Sequence, residues 1–267
     1  MPNPQSLTVS LAQMDCRFGE PEANEAQAEA LIVEAARRGS HLVLLPELWR
    51  SGYDLAQGVR YAAPLGTGPF AWLAELARTH GLWIAGALLE AREGEIYNTA
   101  TLHSPQGEMA GVYRKIHLIG LMEEGRYLAA GNAAPILEPD WGNSALAICY
   151  DLRFPELFRG YALGGATLIL LCAQWPRRRI GAWSTLLRAR AAENQLFMLG
   201  CNRIGRNGDT PFGGHSAVID PWGNVVVEAG EAQVLLTAEL DLGQIAQVRE
   251  FMPVFADRRP DVYITSR

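Results

Sequence analysis

The sequence predicts an α/β protein whose sheets are mixed and covered by helices, and three observations carry that reading. Short, almost wholly apolar runs at 41–45, 145–149, 167–171 and 196–201 read as strands buried on both faces. Longer segments of helical character alternate with them, at 21–38, 69–79, 155–163 and 180–194. Two turns rich in Pro and Gly, Ser104-Pro105-Gln106-Gly107 and Asp220-Pro221-Trp222-Gly223-Asn224, each join two strand-like runs. These are antiparallel hairpins, so the sheets cannot be wholly parallel.

Taken in order, residues 7–12 form a first apolar strand, and the Ala- and Glu-rich stretch 21–38 forms a helix closed by Gly39. The strand at 41–45 stops at Pro46. A helix over 69–79 and a strand over 82–89 follow, then the hairpin of 96–103 with 108–113. Residues 116–135 are punctuated by Gly and lack a period, which suits a loop lining a site. The strand 145–149 runs into a helix that Pro155 can open. Strand 167–171, helix 180–194 and strand 196–201 continue the alternation. The hairpin of 215–219 with 225–228, a strand at 233–239 and a short helix at 242–248 complete it.

At 267 residues, with 49% apolar and 19% charged residues, a large core is feasible. No linker, low-complexity stretch or fixed-period repeat divides the chain, so residues 1–267 are expected to form a single domain. A net charge of −6 argues against a nucleic-acid partner. The basic cluster of Arg177, Arg178 and Arg179 with Arg188 and Arg190 reads as a solvated face with salt bridges. No apolar run approaches the roughly 20 residues of a membrane helix. The start, Met1-Pro2-Asn3-Pro4-Gln5, lacks the build of a secretory signal. Cys16, Cys149, Cys172 and Cys201 are scattered, without metal-ligand spacing. A cytoplasmic protein with reduced thiols, and no membrane partner, is expected.

The chemistry concentrates where three apolar strands end. Each delivers one reactive group: Glu47 after Leu44-Leu45-Pro46, Lys115 after Val112-Tyr113-Arg114, and Cys149 after Ala145-Leu146-Ala147-Ile148. A thiol at a strand-to-helix switch is held rigidly, and a helix start favours its thiolate. Opening an amide also needs a base for the thiol proton, a donor for the oxyanion and an acid for the departing amine. Glu47 suits the base and acid, provided that burial raises its proton affinity. Lys115 with the backbone N–H of Tyr150 suits the oxyanion. Cys16, Cys172 and Cys201 read as packing thiols. His117 is expected to make an orienting hydrogen bond, and His215 to start a strand near the site mouth. Arg153 suits either a substrate carboxylate or a salt bridge to Asp151 or Glu156. No dinucleotide, phosphate-loop, serine-hydrolase or zinc-protease motif is present.

Leu45-Pro46-Glu47-Leu48 with Gly52-Tyr53, Tyr113-Arg114-Lys115-Ile116-His117-Leu118, and the run from Cys149-Tyr150-Asp151 to Pro155-Glu156 resemble the nitrilase superfamily of carbon–nitrogen hydrolases. So do Arg188-Ala189-Arg190 with Glu193-Asn194-Gln195, and the Asp220-Pro221-Trp222-Gly223 turn; the resemblance covers nearly the whole chain. It implies a four-layer α-β-β-α sandwich and cleavage of non-peptide C–N bonds through a Cys149 thioester. It implies no metal or organic cofactor, and a homodimer or larger homo-oligomer. A second glutamate after the lysine is also implied: Glu123 and Glu124 are adjacent candidates, and Glu124 is preferred for its distance to Gly131. The run from Cys149 to Glu156, with Ala173-Gln174-Trp175-Pro176, looks most like the omega-amidase branch, which hydrolyses side-chain amides of small 2-oxo acids such as 2-oxoglutaramate. Tyr53, Tyr150 and Trp175 would then line a compact substrate pocket. Rival readings are an N-carbamoyl amino acid amidohydrolase, a true nitrilase, or a catalytically silent binding protein.

Overall fold

A computed structural model describes residues 6–263. The N-terminal residues weighed above as a signal lie outside them. Two sheets are built from strands whose side chains alternate between two cores. The first has six strands in the order β13-β1-β2-β3-β4-β5. These are β1 (Ser6–Gln13), β2 (Leu42–Leu44), β3 (Trp83–Arg92), β4 (Glu95–His103), β5 (Met109–Arg114) and β13 (Val234–Asp241). β1, β2 and β3 run parallel, and β13, β4 and β5 are antiparallel additions. The second sheet has five strands in the order β12-β11-β8-β7-β6. They are β6 (Ser144–Ile148), β7 (Leu168–Ala173), β8 (Phe197–Asn202), β11 (Ala217–Ile219) and β12 (Val225–Glu228), with β6 to β8 parallel.

The period of two along each strand sorts side chains into layers. Leu168, Leu170 and Cys172 of β7 join Leu42 and Leu44 of β2 in a core between the sheets. Ile169, Leu171 and Ala173 face the other way. There they meet α4 (Pro155–Leu163) and α5 (Ile180–Asn194) through Phe158, Tyr161, Trp183 and Leu187. Val43 and Ile84 of the first sheet pack on α1 (Pro21–Arg37) and α3 (Gly68–His80) through Ala28, Ile32, Phe70 and Leu73. The order is helix, sheet, sheet, helix: the four-layer sandwich expected above.

Differences from the predicted elements are local. β3 and β4 form a further hairpin through Glu93 and Gly94, both with positive φ. That geometry suits a two-residue primed turn, but Glu is a weak turn signal. A 3₁₀ turn at Leu55–Gln57, the single-turn helix α2 (Gly58–Tyr61) and the short ribbon of β9 (Arg206–Asn207) with β10 (Thr210–Pro211) were not predicted. Each is too short to carry a periodic signal. The final helix, α6, spans Gln244–Phe251. Residues 116–135 are irregular as expected, with 3₁₀ turns at Gly120–Met122 and Glu124–Arg126. Among the described residues no helix is long and apolar enough to cross a membrane.

Candidate active site

Strand ends of both sheets meet at one place. β2 stops at Leu44, and Leu45-Pro46 carry Glu47 across the gap between the sheets, where its carboxylate accepts from Gln174 N, just beyond β7, at 3.0 Å. β5 ends at Arg114, so Lys115 is the first residue beyond it. β6 ends at Ile148, and Cys149 opens a 3₁₀ turn, Cys149–Arg153, that leads to α4. Cys149 has φ +44°, a region that a non-glycine residue occupies only when its surroundings hold it there.

Glu47, Lys115 and Glu124 are buried together. Lys115 Nζ donates to Glu47 Oε1 at 2.9 Å and to Glu124 Oε1 at 2.7 Å. Glu47 Oε1 also accepts from Asn98 Nδ2 at 2.8 Å. Glu124 Oε2 accepts from Ile119 N at 2.6 Å, and the Tyr53 hydroxyl donates to Glu124 Oε1. Burial works against the Lys115 ammonium, but the two carboxylates outweigh it and its proton affinity rises. Burial raises the proton affinity of Glu47, opposed by Lys115 and reinforced by Glu124. One of the three ammonium N–H groups of Lys115 has no acceptor among the described residues.

The adjacent pair of glutamates separates cleanly. Glu124 is sealed against Lys115, whereas Glu123 is exposed and pairs with Arg126 at 2.9 Å. Cys149 differs from expectation in its electrostatics. Its proton affinity lies well above that of an ordinary thiol, through burial first and the Glu47 charge second, with Lys115 opposing. The turn that follows it is 3₁₀, and α4 starts only at Pro155, so no long helix dipole offsets the burial. These influences favour the thiol of Cys149 over its thiolate. The thiol lies against the Glu47 carboxylate and donates to Gln174 O at 3.8 Å.

The thiol opens into a narrow cleft. Tyr53, Tyr150 and Trp175, the three residues predicted to wall a pocket, all line it, together with Arg153 and Arg179. Arg153 makes neither of the salt bridges considered for it. Its guanidinium lies 4.8 Å from the centre of the Trp175 ring. Trp175 Nε1 in turn donates to Arg179 O at 2.9 Å. Among the described residues neither Arg153 nor Arg179 takes part in an ion pair, unlike Arg177, which reaches Glu231 at 2.9 Å. His117 makes the orienting hydrogen bond expected of it, to Asp151 at 2.8 Å, while His215 bonds Glu228 at 2.7 Å. Cys16, Cys172 and Cys201 are buried.

Sequence reasoning missed Asn98 and Gln174. Gln174 donates from its backbone N to Glu47 Oε2 and from Nε2 to Glu47 O at 2.7 Å. The available signal was slight: an Asn in a strand that also carries Thr99 and Thr101, and a Gln one residue beyond another strand.

The chain is similar to known proteins of one family. The sequence profile described as carbon-nitrogen hydrolase matches residues 8–250. The chain is 42% identical over 257 residues to a 2-oxoglutaramate amidase of Bacillus subtilis (strain 168), covering 96% of this chain and 99% of that one. A CN-hydrolase superfamily protein from Xanthomonas campestris, solved with an arsenic adduct in its active site, superposes with a TM-score of 0.91. It is 30% identical, over 98% of this chain and 100% of that one. A glutamate variant of the amidase from Nesterenkonia sp. AN1, carrying acrylamide added at its active-site cysteine, matches with a TM-score of 0.81. There the identity is 26%, over 94% and 99% of the two chains. The chain belongs to the carbon-nitrogen hydrolase family of the nitrilase superfamily, and it is an amidohydrolase that cleaves a non-peptide C–N bond in a small-molecule substrate.

Proposed function

We propose that the protein is an omega-amidase: it hydrolyses the terminal amide of a small 2-oxo acid monoamide of the 2-oxoglutaramate type and releases ammonia through a Cys149 thioester. The observation that carries this reading is a buried Glu47–Lys115–Glu124 cluster beside the Cys149 thiol, at a cleft whose two arginines have no carboxylate partner among the described residues. Because burial and the Glu47 charge favour the protonated thiol, attack calls for a base. Glu47 lies beside it with raised proton affinity, which suits a group that must take a proton and return it.

As Sγ bonds to the amide carbon, Glu47 takes the thiol proton. The carbonyl π electrons move onto oxygen, which receives the remaining N–H of Lys115 and the backbone N–H of Tyr150. The C–N bond then breaks as Glu47 passes its proton to nitrogen. Water, deprotonated by Glu47, clears the thioester and leaves the free acid and the thiol. Asn98, Gln174 and Glu124 hold Glu47 and Lys115 throughout. Arg153, stacked on Trp175, and Arg179 supply the charge for the substrate's distant carboxylate.

Ammonia release from 2-oxoglutaramate, glutamine, an N-carbamoyl amino acid and a simple nitrile, measured side by side, tests the assignment. The 2-oxo acid amide should have the highest kcat/KM, and Cys149→Ala and Glu47→Gln should each lose at least about 10²-fold in kcat. Arg153→Gln and Arg179→Gln should raise KM for the acid amide by roughly tenfold, the worth of a charge-assisted hydrogen bond. Near-normal turnover by Cys149→Ala, or a preference for the nitrile, refutes it.

We also assign a homodimer, on the exposed apolar face around Trp222 and Phe251. Four free cysteines fit a reducing compartment, so we place the protein in the cytoplasm, which recovery in a membrane or secreted fraction would contradict.

A further inference from the structure

Asp151 lies two residues beyond Cys149, is completely buried, and has no place in the reaction described above. Its carboxylate is the acceptor at the centre of a four-donor network. Oδ2 accepts from the Tyr113 hydroxyl at 2.7 Å and from Ile148 N at 2.9 Å. Oδ1 accepts from His117 N at 3.2 Å and His117 Nδ1 at 2.8 Å. The identity of these donors is informative. Ile148 is the last residue of β6 and the one that feeds Cys149 into its positive φ. Tyr113 and His117 flank Lys115 at two residues on either side. One buried carboxylate thus ties the nucleophile's turn, on the edge strand of the five-stranded sheet, to both shoulders of the lysine, on the edge strand of the six-stranded sheet.

The clasp is braced from outside. The His117 ring lies flat on Phe154, with centroids 3.7 Å apart and planes at 7°, and Phe154 N donates to Asp151 O at 2.9 Å. The Tyr113 hydroxyl also receives Ile116 N at 3.4 Å. Charge-assisted hydrogen bonds of this kind are short and directional. Where each acceptor is buried, a missing partner cannot be replaced by water.

We propose that Asp151 is a positioning residue that sets the placement of the Cys149 sulfur relative to the Lys115 ammonium. The proposal rests on the reading of Cys149 as nucleophile and Lys115 as oxyanion donor. Its chemical consequence is specific. When the clasp is loosened, the carbonyl carbon can still meet sulfur, but its oxygen no longer falls on the Lys115 N–H as charge develops. The loss belongs chiefly to kcat, since Trp175 and Arg179 stand on the segment after β7 and not on the turn that Asp151 holds. Displacements of about 1 Å in such constellations reach 10²-fold in rate.

Asp151→Asn preserves the volume and breaks the clasp in a defined way. Its amide nitrogen must face a backbone N–H in either orientation, that of Ile148 or that of His117, and neither can accept. Tyr113→Phe removes one donor and leaves the carboxylate intact, so it serves if the first variant does not fold. The measurements are kcat and KM for ammonia release, and the rate at which iodoacetamide, itself an amide, alkylates Cys149. Each is made in the native background and in Lys115→Met. We expect kcat to fall on the order of tenfold with KM within about twofold. Alkylation, in which thiolate displaces iodide and no charge builds on the amide oxygen, should slow because the displaced sulfur loses the nearby Lys115 charge, with little further slowing in the Lys115→Met background, where that charge is already absent. A kcat loss below about threefold in both variants overturns the proposal. So does a loss of alkylation that is equally large in both backgrounds, the mark of a merely structural defect. If Cys149→Ala retains turnover, the catalytic reading itself falls; if it is inactive while Asp151→Asn and Tyr113→Phe both keep kcat within about threefold of the native value, only the positioning role falls.

Discussion

Cys149 sits between opposing influences, and their order decides its chemistry. Burial raises its proton affinity most, the Glu47 carboxylate raises it further, and the Lys115 ammonium lowers it. A resting thiolate would already be a nucleophile without help, whereas a resting thiol makes Glu47 indispensable. The two cases are distinguished by one substitution. Glu47→Gln removes a negative neighbour and leaves Lys115 in place, so the thiol's proton affinity must fall and thiolate must appear at lower pH than in the native protein. Turnover nevertheless falls, because no base remains to receive the proton or deliver it to nitrogen. We therefore expect the ultraviolet thiolate absorbance of Cys149, taken against a Cys149→Ser reference, to titrate at lower pH in Glu47→Gln while kcat drops at least about 10²-fold. The pH profile of kcat/KM has the complementary sign: its acidic limb requires ionised Glu47, and burial moves that limb above the ordinary carboxylate range. An unchanged or higher thiol titration in the variant would remove Glu47 from the causes.

Elements deliver these groups, and their placement depends on backbone contacts that a side-chain inventory overlooks. The segment after Glu124 returns to the end of β5, where Gly131 N donates to Lys115 O at 2.8 Å. A Cβ at Gly131 would stand 2.2 Å from Arg114 O, so Gly131→Ala must push the strand end that carries Lys115. Gly120, in the same loop, has open space around it. Gly131→Ala is expected to destabilise by about 1–3 kcal/mol and to cut kcat on the order of tenfold. Gly120→Ala should change kcat by less than twofold; thermal melts and steady-state rates check both, and equal effects would refute the argument.

The contrast marks what is legible in sequence. Buried strands such as β6 and β7 were readable because unbroken apolar runs leave few alternatives, and their polar ends exposed Glu47, Lys115 and Cys149. The 116–135 loop was readable as a loop, yet nothing in its composition says that Glu124 turns inward while Glu123 turns out. That outcome depends on Ile119 N and Tyr53, which fix the Glu124 carboxylate through the folded backbone. Asn98 and Gln174 were missed for the same reason: their meaning lies in which strand stands opposite, and no local pattern records that.

At the scale of the whole molecule, the layers leave an apolar surface around Trp222 and Phe251 uncovered. Leu44 and Leu170 come from different sheets and share one core, as do Ala100 and Leu199, so neither sheet can be removed without exposing the other. We propose on this basis that the chain is one folding unit. The outer edge is different. Trp222 is 45% exposed, Val225 and Val226 of the edge strand β12 are 40% and 44%, and Phe251 at the end of α6 is 74%. Trp222 and Phe251 meet edge to face at 5.6 Å and together form an exposed apolar patch. Apolar patches of this kind mark association surfaces, and a second copy can cover the patch by twofold symmetry. Trp222→Glu with Phe251→Glu places charge at the centre of that contact. Sedimentation equilibrium should show a dimer for the native protein and a monomer for the double variant. The monomer should still unfold in a single transition seen alike by circular dichroism and tryptophan fluorescence, since the core between the sheets is internal to one chain. A native monomer would refute the interface, and two separate transitions would refute the single unit.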